Sequence, residues 1–175
     1  MNFSAAVLAG GRSSRMGRDK AALPYFGGTL LQHQAATLES LGIDDIMISG
    51  GDVKDIYPGL GPVSGIHACL MAAKHDAVLF LSVDMPLVPA EELIKLLRAH
   101  SGGATVFSQS GKTEPLPGVY DKALASKCEE LLKSGSAPLR RLLDATHVAR
   151  VPFSADERLL INCNTPGDWE KVIGK

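Results

Sequence analysis

Residues 5–21 read AAVLAGGRSSRMGRDKA, an apolar run followed by two glycines and then a cluster of cations. Ala5 to Leu8 is apolar at every position, the pattern of a strand covered on both faces, as in the parallel sheet of an α/β fold. Gly10 and Gly11 follow. They let the backbone reach positive φ and let a ligand approach main-chain N–H groups with no Cβ between. Arg12, Arg15, Arg18 and Lys20 then place positive charge around that point, offset by the single acid Asp19. Such a loop suits a polyanion, although the same composition also describes an exposed polar turn. Two better-known glycine signatures are absent. A P-loop requires Gly-Lys-Ser/Thr where the chain has Gly17-Arg18-Asp19, and the dinucleotide fingerprint G-x-G-x-x-G does not begin at Gly10-Gly11.

The segments downstream extend this pattern. Thr29 and Gln32 have capping-box spacing, and Leu31, Ala35, Leu38 and Leu41 recur before Gly42, which predicts an amphipathic helix with both end signals. Ile46 to Ser49 reads as a second parallel strand, and strand, loop, helix, strand is the doubly wound order. The stretch 55–65, DIYPGLGPVSG, reads as a loop that leads into a helical stripe at Ile66, Leu70 and Ala73, with Pro62 in the first turn. On its own, a Pro/Gly-rich stretch is also just a connection.

Val78 to Val83 is the most apolar run, and Asp84 stands at its carboxyl end, where open α/β sheets bind ligands. An aspartate there suits a divalent metal on nucleotide phosphates, because Mg²⁺ takes one or two carboxylates plus phosphate oxygens and water. The alternative, Asp84 as a cap for a helix over Ala90 to Ala99, is weakened by the intervening Pro86 and Pro89. Ala104 to Ser108 predicts a further strand, Gln109 to Thr113 a turn, and Glu114 to Tyr120 a return strand, together a hairpin-like addition on the far side of the sheet. A helix is predicted over Lys122 to Lys133. Leu160 to Cys163 reads as the last strand of the sheet, with Asn162 and Asn164 on one side of it. Thr165 as N-cap, Pro166 at the first helical position and Asp168 in the first turn then start a final helix. Trp169, Val172 and Ile173 would pack that helix on the core.

These readings give an α/β fold, a three-layer doubly wound and mostly parallel sheet. The 175 residues are expected to form one domain, with a nucleotide-binding half over about 1–100 and an acceptor-binding half over about 101–175. A formal net charge of −1 argues against a general nucleic-acid binder. No apolar run approaches the roughly 18 residues of a membrane span, and MNFSAAVLAGGR lacks the pattern of a signal peptide, so a cytoplasmic location is expected. Cys69, Cys128 and Cys163 are too dispersed for a metal spacing and are read as reduced core thiols. None of the five histidines, His33, His67, His75, His100 and His147, is assigned to chemistry.

The full string LAGG-x-S-x-RMG-x-DK over Leu8 to Lys20 resembles the opening motif of the nucleotidyltransferases that build sugar nucleotides and nucleotide-linked cofactors. It is most similar to that of the molybdenum cofactor guanylyltransferases. Three more segments carry the resemblance in order. Asp55 to Gly65 is similar to the family's Asp, Tyr/Phe-Pro-Gly, Gly-Pro-Leu-x-Gly motif, with Val63 for Leu. Ser82-Val83-Asp84-Met85-Pro86 resembles its Cys-Asp-x-Pro, and Asn162 to Pro166 its Asn-x-Asn-Thr-Pro. Gly135 to Leu143 also looks like the family's Gly-x-x-x-Leu-Arg-x-Leu-Leu segment. The resemblance departs between the second strand and Asp55, where members usually carry a longer segment; here Ser49 reaches Asp55 in six residues and takes the place of an Asn.

The resemblance implies a Rossmann-like nucleotidyltransferase fold that transfers GMP from GTP to the terminal phosphate of molybdopterin with Mg²⁺. It implies a catalytic set of Lys20, Asp84 and Arg15. Leu8, Ala9 and Gly10 would present backbone to the base, Gly11, Arg12, Ser13 and Arg15 would surround the phosphates, and Lys20 would neutralise them. Asp55, Gly61, Pro62 and Gly65 would complete the nucleotide side. Asp84 with Asn164 would hold the metal, and Glu114, Pro115, Leu116 and Arg140 would form the acceptor wall, Arg140 and Arg141 being alternatively ordinary solvated helix charges. The implied partners are GTP and molybdopterin, with transient contact to molybdopterin-inserting and molybdoenzyme proteins, and neither nucleic acid nor membrane. The alternatives are a cytidylyltransferase acting on the same pterin, a sugar-phosphate nucleotidyltransferase, and a non-catalytic nucleotide-binding protein. Leu-Ala-Gly-Gly, in place of the Leu-Ala-Ala-Gly associated with cytidine users, favours guanine.

Overall fold

The computed structural model describes residues 2–10 and 20–173. In chain order its elements begin with β1 (Ser4–Leu8), a 3₁₀ turn (Lys20–Ala22), the short strands β2 (Pro24–Tyr25) and β3 (Gly28–Thr29), and α1 (Leu30–Ser40). They continue through β4 (Asp45–Ser49), α2 (Pro62–Ala72), β5 (Ala77–Ser82), α3 (Ala90–Ala99), β6 (Ala104–Gln109) and β7 (Lys112–Asp121). After a second 3₁₀ turn (Lys122–Leu124) come α4 (Ala125–Lys133), α5 (Leu139–Asp144), β8 (Val148–Pro152), a third 3₁₀ turn (Glu157–Leu160) and α6 (Pro166–Ile173). The six-stranded sheet has the order β4-β1-β5-β7-β6-β8, and β7 alone runs antiparallel to its neighbours.

Alternation along β1 and β5 divides the core in two. Ala5, Val7, Leu79 and Leu81 face a layer that contains Leu30 and Leu38 of α1, Leu93 and Leu96 of α3, and Val172 of α6. Ala6, Leu8, Val78 and Phe80 face Ile66 and Leu70 of α2, Cys128 and Leu132 of α4, and Leu142 of α5. The result is the three-layer, doubly wound α/β architecture, with all five residues of β1 buried. The three cysteines are free and buried.

Capping chemistry starts the first helix where the sequence expects it. The Thr29 N–H donates to Gln32 Oε1 at 2.8 Å, and the Gln32 N–H donates to Thr29 Oγ1 at 3.2 Å. The buried stripe is set one residue earlier than the apolar pattern suggests, at Leu30, Gln34 and Leu38. Gln34 occupies an interior position because its Nε2 donates to the Ser82 carbonyl at 3.0 Å, so its amide is satisfied at the end of β5.

Two further expectations are corrected. The hairpin is no addition at the side, because β7 fills the interior slot between β5 and β6, with Val119 and Tyr120 fully buried. The last strand is Val148–Pro152, parallel to β6, and not Leu160 to Cys163. β5 is already flanked by β1 and β7, so residues 161–164 find no open edge there. They cross its carboxyl end instead, where the Cys163 N–H donates to the Asp84 carbonyl at 2.7 Å.

A bulge shapes β7. Its register with β6 passes from Val106 opposite Gly118 to Phe107 opposite Glu114, leaving residues 115–117 unpaired on β7. Pro115 and Pro117 have no N–H to contribute to a ladder, which localises the irregularity. The buried Tyr120 clamps it by donating its hydroxyl to the Pro115 carbonyl at 2.6 Å. Gly118 lies inside this clamp, where a Cβ would sit 2.8 Å from both the Pro115 carbonyl and Tyr120 Cε2. Gly118→Ala is therefore expected to cost about 1–3 kcal/mol through overpacking, read as a lower urea midpoint. An unchanged midpoint would contradict the clamp.

Candidate active site

The carboxyl ends of β1, β4 and β5 open into a cleft of about 1010 Å³. Because β7 is antiparallel and its pairing with β5 begins at Gly118 opposite Phe80, the preceding residues 114–116 lie toward the carboxyl end of β5 and line the cleft there. Leu8 and Gly10 follow β1, Ser49 ends β4, Asp84 follows β5, and Asn162 and Asn164 close the cleft from the crossing segment.

Most of the expected residues meet here. Leu8, Gly10, Asp55, Gly61, Pro62, Gly65, Asp84, Glu114, Pro115, Leu116 and Asn164 all line the cleft. Lys20 reaches it through its contacts with Asp84 and Asn164. Ala9 is not part of the lining, and neither is Arg140, which is exposed on α5 while its neighbour Leu139 lines the cleft. That helix turns Leu139, Leu142 and Leu143 inward, which sends position 140 outward. Gly11, Arg12, Ser13 and Arg15 lie outside the described residues.

The centre of the cleft is a cluster drawn from three distant parts of the chain. Lys20 Nζ donates to Asn164 Oδ1 at 2.7 Å and pairs with Asp84 Oδ2 at 3.3 Å. The Ser82 hydroxyl donates to the other Asp84 oxygen at 2.6 Å. Asn164 is held from behind, since its N–H and that of Thr165 both donate to Asp168, at 3.2 and 3.0 Å, at the start of α6. Hydrogen bonding, first from the Thr165 hydroxyl, outweighs partial burial and holds the Asp168 carboxyl below its usual range. It therefore stays ionised as an acceptor. Ser82 escaped the sequence reading; its position two residues before the acid was the available signal.

Asp84, Asn164 and Ser82 offer a carboxylate, an amide oxygen and a hydroxyl, which is the donor chemistry of a hard divalent cation. Among the described residues no group of three or more His, Cys, Asp or Glu could hold a metal.

The wall on the β4 side has a different character. Gly65, in the first turn of α2, has no room for a Cβ, which would strike Ser49 Oγ and come 3.2 Å from Leu8 Cδ2. The helix thereby packs its N-terminal end directly onto the ends of β1 and β4, and the partial positive charge of that end faces the cleft. Asp55 lies in the same wall. Its Oδ1 is buried without a hydrogen-bond partner, and burial raises its carboxyl above the usual range against the opposing hydrogen bond from Ser49.

Residues 5–151 match the family model of the MobA-like NTP transferase domain. The chain belongs to this family. It is 34% identical over 180 residues to the molybdenum cofactor guanylyltransferase of Xanthomonas euvesicatoria, an alignment covering 98% of this chain and 94% of that protein. Among solved structures, the molybdopterin-guanine dinucleotide biosynthesis protein A of Archaeoglobus fulgidus superposes with a TM-score of 0.76 at 23% identity, covering 98% of this chain and 97% of that one. A Mycobacterium tuberculosis protein crystallised as a manganese complex superposes with a TM-score of 0.77 at 15% identity over the full length of both chains. The family match thus runs from β1 into β8 and takes in most of the cleft lining, while Asn162 and Asn164 of the crossing segment lie beyond residue 151.

Asp55 makes a testable contribution to stability. Its folded-state carboxyl is raised, so the native state holds that proton more tightly than the unfolded chain does. Its contribution therefore falls as pH rises through the window between the unfolded and folded values, and ionised Asp55 is a net cost at neutral pH. Asp55→Asn is expected to raise the melting temperature at pH 7, with the gain vanishing below the ordinary aspartate value of about 3.9. Thermal unfolding across pH measures it, and a variant less stable than wild type at pH 7 would contradict the assignment.

Proposed function

We propose that this chain transfers GMP from GTP to the terminal phosphate of molybdopterin, giving molybdopterin guanine dinucleotide and pyrophosphate, with Mg²⁺ as the working cation. The observation that carries the reading is the Lys20, Asp84 and Asn164 cluster between two dissimilar walls of one cleft. At about 1010 Å³ the cleft reaches the upper end of the roughly 300–1,000 Å³ usual for one ligand, which suits two substrates. The wall from β1, β4 and α2 takes the nucleotide and the β7 wall takes the acceptor, so the reacting phosphorus lies over the end of β5. In this reading the chain is a single domain with a nucleotide half and an acceptor half.

A phosphate monoester has its second pKa near 6, so the acceptor is largely dianionic at pH 7 and needs no protein base. The remaining work is to hold two anions together, align them and stabilise charge on the leaving pyrophosphate. Lys20 supplies a compact positive charge beside Asp84, and the N-terminal end of α2 adds main-chain donors. Arg12 and Arg15 add cations from the glycine loop. When bound by Asp84 and Asn164, a divalent ion supplies the charge that draws the phosphates into line. The unpaired Asp55 oxygen accepts from the N–H edge of guanine, which cytosine does not offer in the same arrangement. Glu114, Pro115 and Leu116 line the acceptor, and the proteins that supply the pterin and receive the product make transient contact in the cytoplasm. No helix among the described residues is long and apolar enough to cross a membrane.

The test is pyrophosphate release by purified protein with Mg²⁺ and metal-loaded molybdopterin, comparing GTP, CTP and ATP. Release with GTP alone is expected; release with CTP alone would move the activity to the cytidine branch, and silence with all three would overturn it. Asp84→Ala is expected to lower kcat at least about 100-fold while circular dichroism stays native. Lys20→Ala is expected to lower kcat/KM for GTP at least about tenfold. Normal turnover in either variant would remove that residue from the machinery.

A further inference from the structure

Residues 54–60 belong to no strand or helix, yet Asp55, Pro58 and Gly59 all line the cleft. The hydrogen bonds that tie this wall to neighbouring helices converge on one residue between them, Tyr57. Its carbonyl accepts from the Ser64 hydroxyl of α2 at 2.6 Å. Its own hydroxyl donates to Glu129 Oε1 of α4 at 2.9 Å. Glu129 is not part of the cleft lining. The same Glu129 oxygen pairs with Lys133 one turn later at 2.9 Å, which orients the carboxylate toward the tyrosine. The ring packs against His67, with centroids 5.7 Å apart, and joins the core layer of α2 and α4 alongside Leu60 and Val53. Hydrogen bonds from Lys133 and Tyr57 hold Glu129 below the usual carboxylate range, so it is a charged acceptor at neutral pH.

We propose that Glu129 is a positioning residue for nucleotide binding, acting outside the cleft by holding the Tyr57 hydroxyl and so fixing the wall that carries Asp55. The proposal rests on the nucleotide reading of that wall. Asp55 sits two residues before the anchor, and Pro58 and Gly59 directly follow it. Release of the tyrosine hydroxyl therefore removes the wall's tie to α4 and leaves its cleft-facing parts held by the Ser64 bond, the Ser49 bond to Asp55 and the packing of the ring against α2. The cost falls on the binding of the base, because Asp84 follows β5, Lys20 opens the first 3₁₀ turn and Asn164 precedes α6, whereas Glu129 makes its hydrogen bond to Tyr57 and its ion pair with Lys133. The geometry separates this role from catalysis, since the ground state and the transition state of the nucleotide use the same wall.

The experiment is titration calorimetry of GTP with Mg²⁺ into wild type, Tyr57→Phe, Glu129→Ala, Glu129→Gln and the double variant Tyr57→Phe/Glu129→Ala. Each loss of the bond is expected to weaken nucleotide binding about fivefold, the worth of one net hydrogen bond. The double variant is expected to be no weaker than either single one, because both remove the same bond. Glu129→Gln keeps a carbonyl acceptor and is expected to stay within about twofold of wild type. In turnover, KM for GTP rises by the same factor while kcat and KM for the acceptor hold. Amide exchange of residues 54–60 in nucleotide-free protein is expected to speed up in Tyr57→Phe and Glu129→Ala alone. Unchanged affinity together with unchanged exchange, or additive losses in the double variant, would overturn the proposal. If wild type binds no nucleotide, the proposed function fails, and the exchange measurement still decides whether Glu129 holds this wall. Glu129 lies on the helix surface, so its variants remain informative even if Tyr57→Phe does not fold.

Discussion

Burial of β5 on both faces is the constraint around which the molecule is arranged. Val78 to Leu81 are fully buried, with alternate residues facing the two helical layers, so the strand has no solvated side along which its register can slip. Its neighbours take both of its edges, β1 parallel on one side and β7 antiparallel on the other. Where the apolar run ends, Ser82 and Asp84 emerge at a defined height and depth, and every other part of the cleft is placed relative to them. The crossing segment with Asn164 docks on the Asp84 carbonyl, and Gln34 of α1 is satisfied by the Ser82 carbonyl. A packing requirement thus positions chemistry that has no packing role of its own.

Among the described residues, carboxylates outnumber ammonium groups at the cleft. Asp55, Asp84 and Glu114 line it, and the one described ammonium at its centre belongs to Lys20, engaged by Asp84 and Asn164. In the proposed reaction, two polyanionic substrates that meet among three carboxylates require further positive charge. The sequence concentrates that charge in Arg12, Arg15, Arg18 and Lys20, directly after β1, and the oxygen donors around Asp84 suit a divalent ion. In the proposed reaction a phosphate dianion brings its own nucleophile, so the chemistry calls for cations and not for a protein base.

Much of this was legible in the residues because local rules and tertiary packing agreed. The apolar runs at β1, β4 and β5, the Thr29 and Gln32 capping box, Pro62 at the start of α2 and the Thr165 and Asp168 cap of α6 all express short-range physics that the fold leaves intact. Expectation and structure part where long-range topology decides. Residues 160–163 look like a strand, but a strand needs an open edge, and the edge beside β5 was taken by β7. The placement of β7 itself depends on a crossover that periodicity does not encode. Gln34 defeated the apolar stripe because its partner is a carbonyl at the end of another element. Arg140 illustrates the same limit, since its side of α5 is set by which leucines reach the core.

The two ends of the cleft differ in how firmly they are built, and the difference follows their chemistry. In the proposed reaction the transfer centre stands at the end of a buried strand, beside a backbone hydrogen bond from Cys163 and a capped helix start. The wall proposed for the nucleotide is irregular chain, tied through a tyrosine to the side chains of two helices, and it keeps a carboxyl oxygen buried without a partner. Alignment of an attacking phosphate tolerates little displacement, so its groups belong on rigid elements. Recognition of a base instead benefits from polar groups left unpaired until the ligand arrives, because a ligand that cannot pair them pays the desolvation cost. The raised Asp55 carboxyl is the mark of that arrangement: stability is given up at a position where, in the proposed reaction, it is recovered when guanine binds.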